Sequence, residues 1–375
     1  MILELAGAAA AAVWLYLLLF RGGYWLEFRN AGAAGKPAAA PPIVAIIPAR
    51  NEAETIERAI RSLISQVTHI VVIDDGSIDG TAELARRSAP SGKVSVISSE
   101  PLPSAWTGKL WAVHQGLNYA AALPSGYLLL TDADIEHGPG SVALLAARAD
   151  AGRYDLVSYM ATLHCSTFAE KALIPAFVYF FLALYPPAWI RNPRRRTAGA
   201  AGGCMLIRRQ AMERIGGVKA IHGELIDDCA LARAMKQAGG RVWLGLGEKT
   251  RSLRVYDGLG EMERMIARTA FTQLRYSVWI LAATLAALGT TYFLGPVLAV
   301  TAPRPAAMSG AAAWLLMSIS YFPALRFYRR SPLWAPMLPV IAGFYAWATL
   351  HSAILHWRGR GGMWKGRVQN GVPQR

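Results

Sequence analysis

The chain has 375 residues, 54% of them hydrophobic, and a mean hydropathy of +0.27. That is too apolar for an ordinary soluble enzyme, while the charge in its middle excludes a pure membrane bundle. The net charge of +15 and pI near 10.0 suit nucleic acid, an anionic membrane surface or a phosphate-bearing substrate, and the apolar spans put the membrane surface first.

Residues 2–20 are apolar apart from Glu4, a run long enough to cross a bilayer. Basic residues follow this run rather than precede it, and it lacks a clear cleavage site, which favours an anchor over a signal peptide. Arg21, Arg29 and Lys36 then place this end in the cytoplasm by the positive-inside rule. Residues 21–42 read as a linker, rich in Ala, Gly and Pro from 31 onward. Over 43–277 strand and helix patterns alternate. IVAIIP is a buried strand followed by helical sequence from Glu54 to Ile64, and HIVVIDD is a second strand followed by a helix from about Asp79. KVSVI and YLLLTDAD are further strands. This rhythm predicts a parallel, three-layer α/β domain, whose ligands bind beyond the carboxyl ends of the strands. Residues 171–190 form an apolar run inside that domain, expected as a helix lying in the membrane interface or as a buried core helix. Three more apolar stretches follow near 278–300, 307–325 and 333–355, with a basic loop, RFYRRSP, between the last two. Pro336, Pro339 and Gly343 allow the last stretch to be broken or re-entrant, which would leave the basic tail 356–375 in the cytoplasm. The three cysteines, Cys165, Cys204 and Cys229, form no CxxC pair and have no evident His partner, so no disulfide framework, zinc site or catalytic thiol is expected.

Four acidic clusters stand out: PARNE (Pro48 to Glu52) after the first strand, DDGS (Asp74 to Ser77) after the second, DAD (Asp132 to Asp134) after YLLLT, and IDDCAL with Asp227 and Asp228. Carboxylates two residues apart at a strand end can hold a divalent metal, which neutralises the charge developing on a nucleoside diphosphate leaving group. Asp134 is the candidate metal ligand, with Asp132 as partner on the metal or the ribose. Asp228 is the candidate base that takes a proton from an attacking hydroxyl. Asp227 and Asp228 also read as the acidic start of a helix, where the dipole favours them. Asp75 can accept from a pyrimidine imide N–H, and Arg50 can lie on the base; in a plainer reading they are a turn aspartate and a surface arginine. In SAWTGKLWAVHQG, Lys109 can meet a phosphate, while Trp106 and Trp111 either border a sugar or lipid or simply pack. His114 and His137 suggest no ligand role. NPRRRTAGAAGG (Asn192 to Gly203) is a basic, flexible loop, either solvated or set over phosphates or acidic lipid heads.

In their order PARNEAETI, VVIDDGSIDGT, LLLTDAD, GGCMLIRR and LIDDCAL resemble the family 2 glycosyltransferases with a GT-A fold, from about Ile43 to Ser277. PSAWTGKLWAVHQG, IDDCALAR and RTAFTQLRYS resemble the hopene-associated branch of bacterial enzymes linked to hopanoid biosynthesis. The resemblance implies that Pro48, Ala49, Arg50, Glu52 and Asp75 line the nucleotide with help from Lys109. It implies that Asp132 and Asp134 serve ribose and metal, that Gly202, Gly203 and Cys204 lie by the acceptor near Asp227, and that Asp228 is the base of an inverting transfer. Gln273, Arg275 and Tyr276 resemble the Q-x-x-R-W element of processive relatives, one residue shorter and with Tyr for Trp, which favours addition of a single sugar. The expectation is an enzyme of the bacterial inner membrane with a cytoplasmic GT-A domain, Mg²⁺ or Mn²⁺, a UDP-sugar donor and a hopanoid or other polyisoprenoid acceptor, without nucleic acid. Alternatives are a transferase acting on a sphingolipid, carotenoid or polyprenyl phosphate, a nucleotidyltransferase, and a non-catalytic lipid-binding protein.

Overall fold

The computed structural model describes residues 1–29, 42–88, 90, 92–364 and 367–368. The chain divides into two units. One comprises Met1–Arg29, Cys165–Ala188 and Val255–Gly362; the other comprises Asn30–His164, Trp189–Arg254 and Met363–Arg375.

The second unit is built on an eight-stranded sheet. Its strands are β1 (Ile43–Ala49), β2 (His69–Asp74), β3 (Val94–Ser98), β4 (Tyr127–Thr131), β5 (Ile135–His137), β6 (Leu156–Thr162), β7 (Cys204–Arg208) and β8 (Val242–Ser252), in the order β3-β2-β1-β4-β7-β6-β8-β5. The continuous apolar run of β1 is buried at every position, as a central strand covered on both faces requires. Helix Ile56–Leu63 packs through Ile56, Ala59, Ile60 and Leu63, one stripe at helical spacing, into a core shared with Ile47, Val72, Leu129 and Leu206.

The first four strands of the sheet order are parallel, as the βαβ rhythm predicts. The all-parallel expectation fails beyond them: β7 runs antiparallel to both β4 and β6, and β5 antiparallel to β8. The cause is the connection. The chain leaves β6 at the carboxyl edge of the sheet and comes back through 189–203 to start β7 at that same edge, so β7 must run in the opposite direction.

The other unit is helical. Among the described residues, five helices are long and apolar enough to cross a membrane: Ile2–Leu19, Phe168–Arg191, Val278–Thr301, Ala306–Phe327 and Pro332–Trp357. Tyr24–Arg29, within the expected linker, forms a 3₁₀ turn that buries Tyr24 and Phe28; residues 30–41 of that linker lie outside the described residues. Helix Phe168–Leu184 packs among other elements of its unit, with Val178, Tyr179 and Leu182 fully buried. This burial within its unit accords with the apolar residues on all its faces. The stretch near 333–355 divides into a 3₁₀ turn, Pro332–Met337, and the helix that follows it. Pro336 sits in a 3₁₀ turn and Pro339 in the first turn of an unbroken helix, Leu338–Trp357, where no intrahelical N–H bond is lost. Helices Val278–Thr301 and Ala306–Phe327 approach closely through glycine: a Cβ on Gly310 would stand 2.6 Å from the Gly295 carbonyl oxygen. Tyr24, Tyr179 and Ser320 form a buried hydroxyl chain with links of 2.8 and 2.7 Å.

Candidate functional site

The carboxyl ends of β1, β2 and β4 and the start of β7 share one edge of the sheet. The β1–β4 ladder ends at Ile46↔Leu130, and Pro48, which has no N–H to offer, stands just past it. Below this edge is a cavity lined by Pro48, Lys109, Asp132, Gly202 and Asp227, with an apolar floor that includes Met205, Ile221 and Leu231.

The loops after β1 and β2 are stitched together. Asp75 N–H donates to the Ala49 carbonyl (2.8 Å), Asn51 N–H to Ser77 Oγ (3.0 Å) and Glu52 N–H to Thr81 Oγ1 (2.8 Å). Asn51 adopts a left-handed conformation (φ 50°), tolerable for Asn, and its side-chain oxygen accepts from Ile78 N–H at 3.0 Å. Arg50 and Asp75, for which the sequence suggested separate contacts with a base, are also bound to each other. The guanidinium donates to the Asp75 carbonyl and stands 3.5 Å from its carboxylate.

The last two acidic clusters meet at Lys109, in the first turn of helix Gly108–Ala120. Its ammonium lies 2.9 Å from Asp132 Oδ1 and 3.1 Å from Asp227 Oδ2. Burial alone would make this amine easier to deprotonate; Asp132, Asp227 and Asp228 outweigh that and hold its pKa above the ordinary lysine value. Asp228 begins helix Asp227–Gln237 with Asp227, and its Oδ2 accepts the Gly202 N–H at 2.8 Å while Oδ1 accepts the Cys229 N–H at 2.7 Å. Withdrawal from water and the adjacent Asp227 push its carboxyl up to about 6, against the opposing pull of Lys109 and the two backbone donors. Gly202 is required for room: a Cβ there would lie 3.3 Å from both Asp228 Oδ2 and Lys109 Nζ, and one on Gly203 would lie 3.0 Å from Ile135.

Asp134 is half-buried on the loop after β4, and its carbonyl accepts from Leu253 N–H at 2.7 Å. Among the described residues no three His, Cys, Asp or Glu side chains gather into a ready-made metal cage. The hard oxygens of Asp132 and Asp134 fit Mg²⁺ or Mn²⁺ of the kind completed by substrate phosphates and water, which needs only one or two carboxylates.

One expectation is corrected. Cys204 does not face an acceptor: it is fully buried in the core, and burial pushes its thiol up to about 12. Gln273, Arg275 and Tyr276 belong to the helical unit, where Tyr185 donates to Gln273 at 3.0 Å and Tyr276 stacks on His356 at 4.3 Å. Trp106 and Trp111 form an edge-to-face pair at 5.1 Å with His114 and His222 against Trp106, beside Lys109 and Ile221. Three site residues escaped the sequence reading: Ser158, which exchanges hydrogen bonds with Ala201 at 2.8 and 3.1 Å, and Thr131 with His137, 2.9 Å apart. Only the position of Thr131 beside Asp132 could have pointed to any of them.

Residues 44–216 match the model of Glycosyl transferase family 2. The chain is 36% identical over 96 residues to 4,4'-diaponeurosporenoate glycosyltransferase of Staphylococcus haemolyticus, covering 25% of this chain and 24% of that protein. It is 33% identical over 119 residues to the undecaprenyl-phosphate 4-deoxy-4-formamido-L-arabinose transferase of Salmonella choleraesuis, covering 30% and 34%. It is 30% identical over 118 residues to the uncharacterized protein MJ0544 of Methanocaldococcus jannaschii, covering 31% and 50%. The chain thus spans half or less of the length of these curated relatives. Among solved structures, glucosyl-3-phosphoglycerate synthase from Mycobacterium tuberculosis, in complex with Mg²⁺ and uridine-diphosphate, aligns at a TM-score of 0.42 and 22% identity, covering 63% of this chain and 79% of that one.

Proposed function

We propose that this chain, whose α/β unit is a family 2 glycosyltransferase domain of GT-A fold, moves a single sugar from a UDP-sugar to a hydroxyl of a membrane polyisoprenoid such as a hopanoid, with inversion. The observation that carries this reading is the meeting of Asp132, Asp227, Asp228 and Lys109 at one strand edge, with the Asp228 carboxyl raised to about 6. The stitched β1 and β2 loops, with Arg50 and Asp75, hold the nucleotide. Asp132 and Asp134 would hold Mg²⁺ or Mn²⁺, which when bound would neutralise the diphosphate. Lys109 adds a fixed positive charge beside it. Asp228 takes the proton of the acceptor hydroxyl as its oxygen bonds to the anomeric carbon; the bond from that carbon to the diphosphate breaks, and its electron pair leaves with UDP.

The state of Asp228 favours a hydroxyl acceptor. A phosphate or carboxylate acceptor is already ionised, needs no base, and is repelled by a second carboxylate. A second reading, transfer to a carotenoid acid or polyprenyl phosphate, draws on the likeness to the diaponeurosporenoate and undecaprenyl-phosphate enzymes. The five apolar helices, with Arg21 and Arg29 after the first, support a multi-pass protein of a bacterial inner membrane whose α/β unit faces the cytoplasm.

The test is UDP release by the purified full chain with Mn²⁺ and UDP-glucose or UDP-galactose. The vesicles carry a hopanoid polyol, a carotenoid acid or undecaprenyl phosphate, with the lipid product identified by mass spectrometry. A glycosylated hydroxyl supports the reading. Release of pyrophosphate instead of UDP, or no turnover of any sugar nucleotide, refutes it.

A further inference from the structure

Gly202 leaves room for Asp228 and Lys109 and Gly203 leaves room for Ile135, but glycine backbone is the least able to hold its own position. The turn is therefore braced from outside. At one end, Ala201 is locked to Ser158 by a reciprocal pair of hydrogen bonds. At the other, Thr131 Oγ1 lies 2.8 Å from the Gly203 carbonyl oxygen, which can only accept, so the single hydroxyl proton of Thr131 is committed there. On its other side Thr131 Oγ1 is 2.9 Å from His137 Nε2, and with its own proton spent it must accept. His137 therefore carries its hydrogen on Nε2. Its Nδ1 is left as a buried lone pair without a hydrogen-bond partner among the described residues. The backbone of His137 is held in place, because its N–H donates to Ser62 Oγ (3.0 Å) and its carbonyl accepts from Gln66 Nε2 (2.9 Å). Both side chains are 2% exposed.

We propose that His137 and Thr131 form a directional relay, His137 Nε2–H to Thr131 Oγ1–H to the Gly203 carbonyl, that fixes the Gly202 N–H on Asp228 and makes both side chains positioning residues for the transfer. The relay rests on the function proposed above. It ties the segment bearing Asp132 and Asp134 to the turn that holds the base, so the two halves of the site move as one piece.

The experiment compares Thr131→Val, which keeps shape and loses the hydroxyl, with Thr131→Ser, which keeps the hydroxyl, and with His137→Leu, all as full chains in lipid vesicles. Amide exchange over residues 198–206 reads the turn directly and needs no substrate. It should quicken about tenfold in Thr131→Val and His137→Leu, the factor expected for one lost hydrogen bond, and stay near wild type in Thr131→Ser. Exchange in β1 and β2 should not change in any variant. UDP release from UDP-glucose should show kcat lowered about tenfold in Thr131→Val with KM for the donor unchanged, and rescue by Thr131→Ser. Unchanged exchange over 198–206 in Thr131→Val, or a raised KM with kcat preserved, overturns the relay. A wild type that turns over no sugar nucleotide overturns the transfer reading instead, while the exchange data still decide whether the turn is braced as described.

Discussion

Replacing Asp228 with Asn separates catalysis from stability. The amide oxygen can still accept the Gly202 N–H while the Cys229 N–H loses its acceptor, and Lys109 keeps Asp132 and Asp227, so the site should largely hold its shape. What disappears is the base. Its loss should lower kcat by roughly 10²- to 10⁴-fold, with affinity for UDP and Mn²⁺ nearly unchanged. Stability should move the other way. Asp228 titrates near 6 in the folded chain against a reference of 3.8, so the folded state binds the proton more tightly than the unfolded one. The resulting penalty is absent below the unfolded pKa, grows as pH rises through that interval, and is fully present above pH 6. A rise of that size corresponds to about 3 kcal/mol at neutral pH. Asp228→Asn should therefore raise the thermal midpoint at pH 7.5 by several degrees and leave it unchanged at pH 4. Wild-type kcat should fall about tenfold per pH unit on the acid side of pH 6. Turnover and differential scanning fluorimetry at several pH values measure both effects. An Asn variant within tenfold of wild-type turnover on a hydroxyl lipid, or one less stable at pH 7.5, would refute the reasoning.

Lys109→Met removes the cation shared by three carboxylates; the acid limb of the kcat profile should move up by about one pH unit, since Lys109 is what holds Asp228 down. Donor binding, followed by calorimetry with UDP and Mn²⁺, should weaken in the same variant. Gly202→Ala places a methyl 3.3 Å from both Asp228 and Lys109 and should cut kcat at least tenfold while circular dichroism stays the same. Gly310→Ile drives side-chain atoms into the Gly295 carbonyl and should destabilise the helical unit by about 1–3 kcal/mol, read as a lower thermal midpoint in detergent with UDP affinity retained.

Three of the acid clusters were legible because each is a chemical signal at the end of an apolar strand, and strand ends of such sheets converge; the fourth, Asp227 and Asp228, showed only as the acidic start of a helix. Lys109 was legible as a phosphate-seeking cation. Its bridging of Asp132 and Asp227 was not, because that depends on which helix start faces which strand. Cys204 was misjudged through its neighbours: the glycines before it face the cleft, but the next position of an incoming strand points into the core. Strand direction was illegible beyond β4, since it follows from where the chain re-enters the sheet and not from local pattern. Thr131, His137 and Ser158 carried no signal, because a threonine, a histidine and a serine inside apolar strands look alike whether they brace a turn or only fill space.

The place of β7 has a consequence for how the molecule is made. In the sheet it lies between β4 and β6 and alone joins β3-β2-β1-β4 to β6-β8-β5. In the chain, the apolar helix Phe168–Leu184 is synthesised before β7 and after both of its neighbours. During translation β4 and β6 therefore wait, each with an open edge, until that helix has left the ribosome and the seam strand can be laid between them, and β8, which completes the second half, comes later still. A ribosome stalled before residue 204 should carry a nascent chain sensitive to protease, and one stalled a few dozen residues beyond Ser252 a protected one.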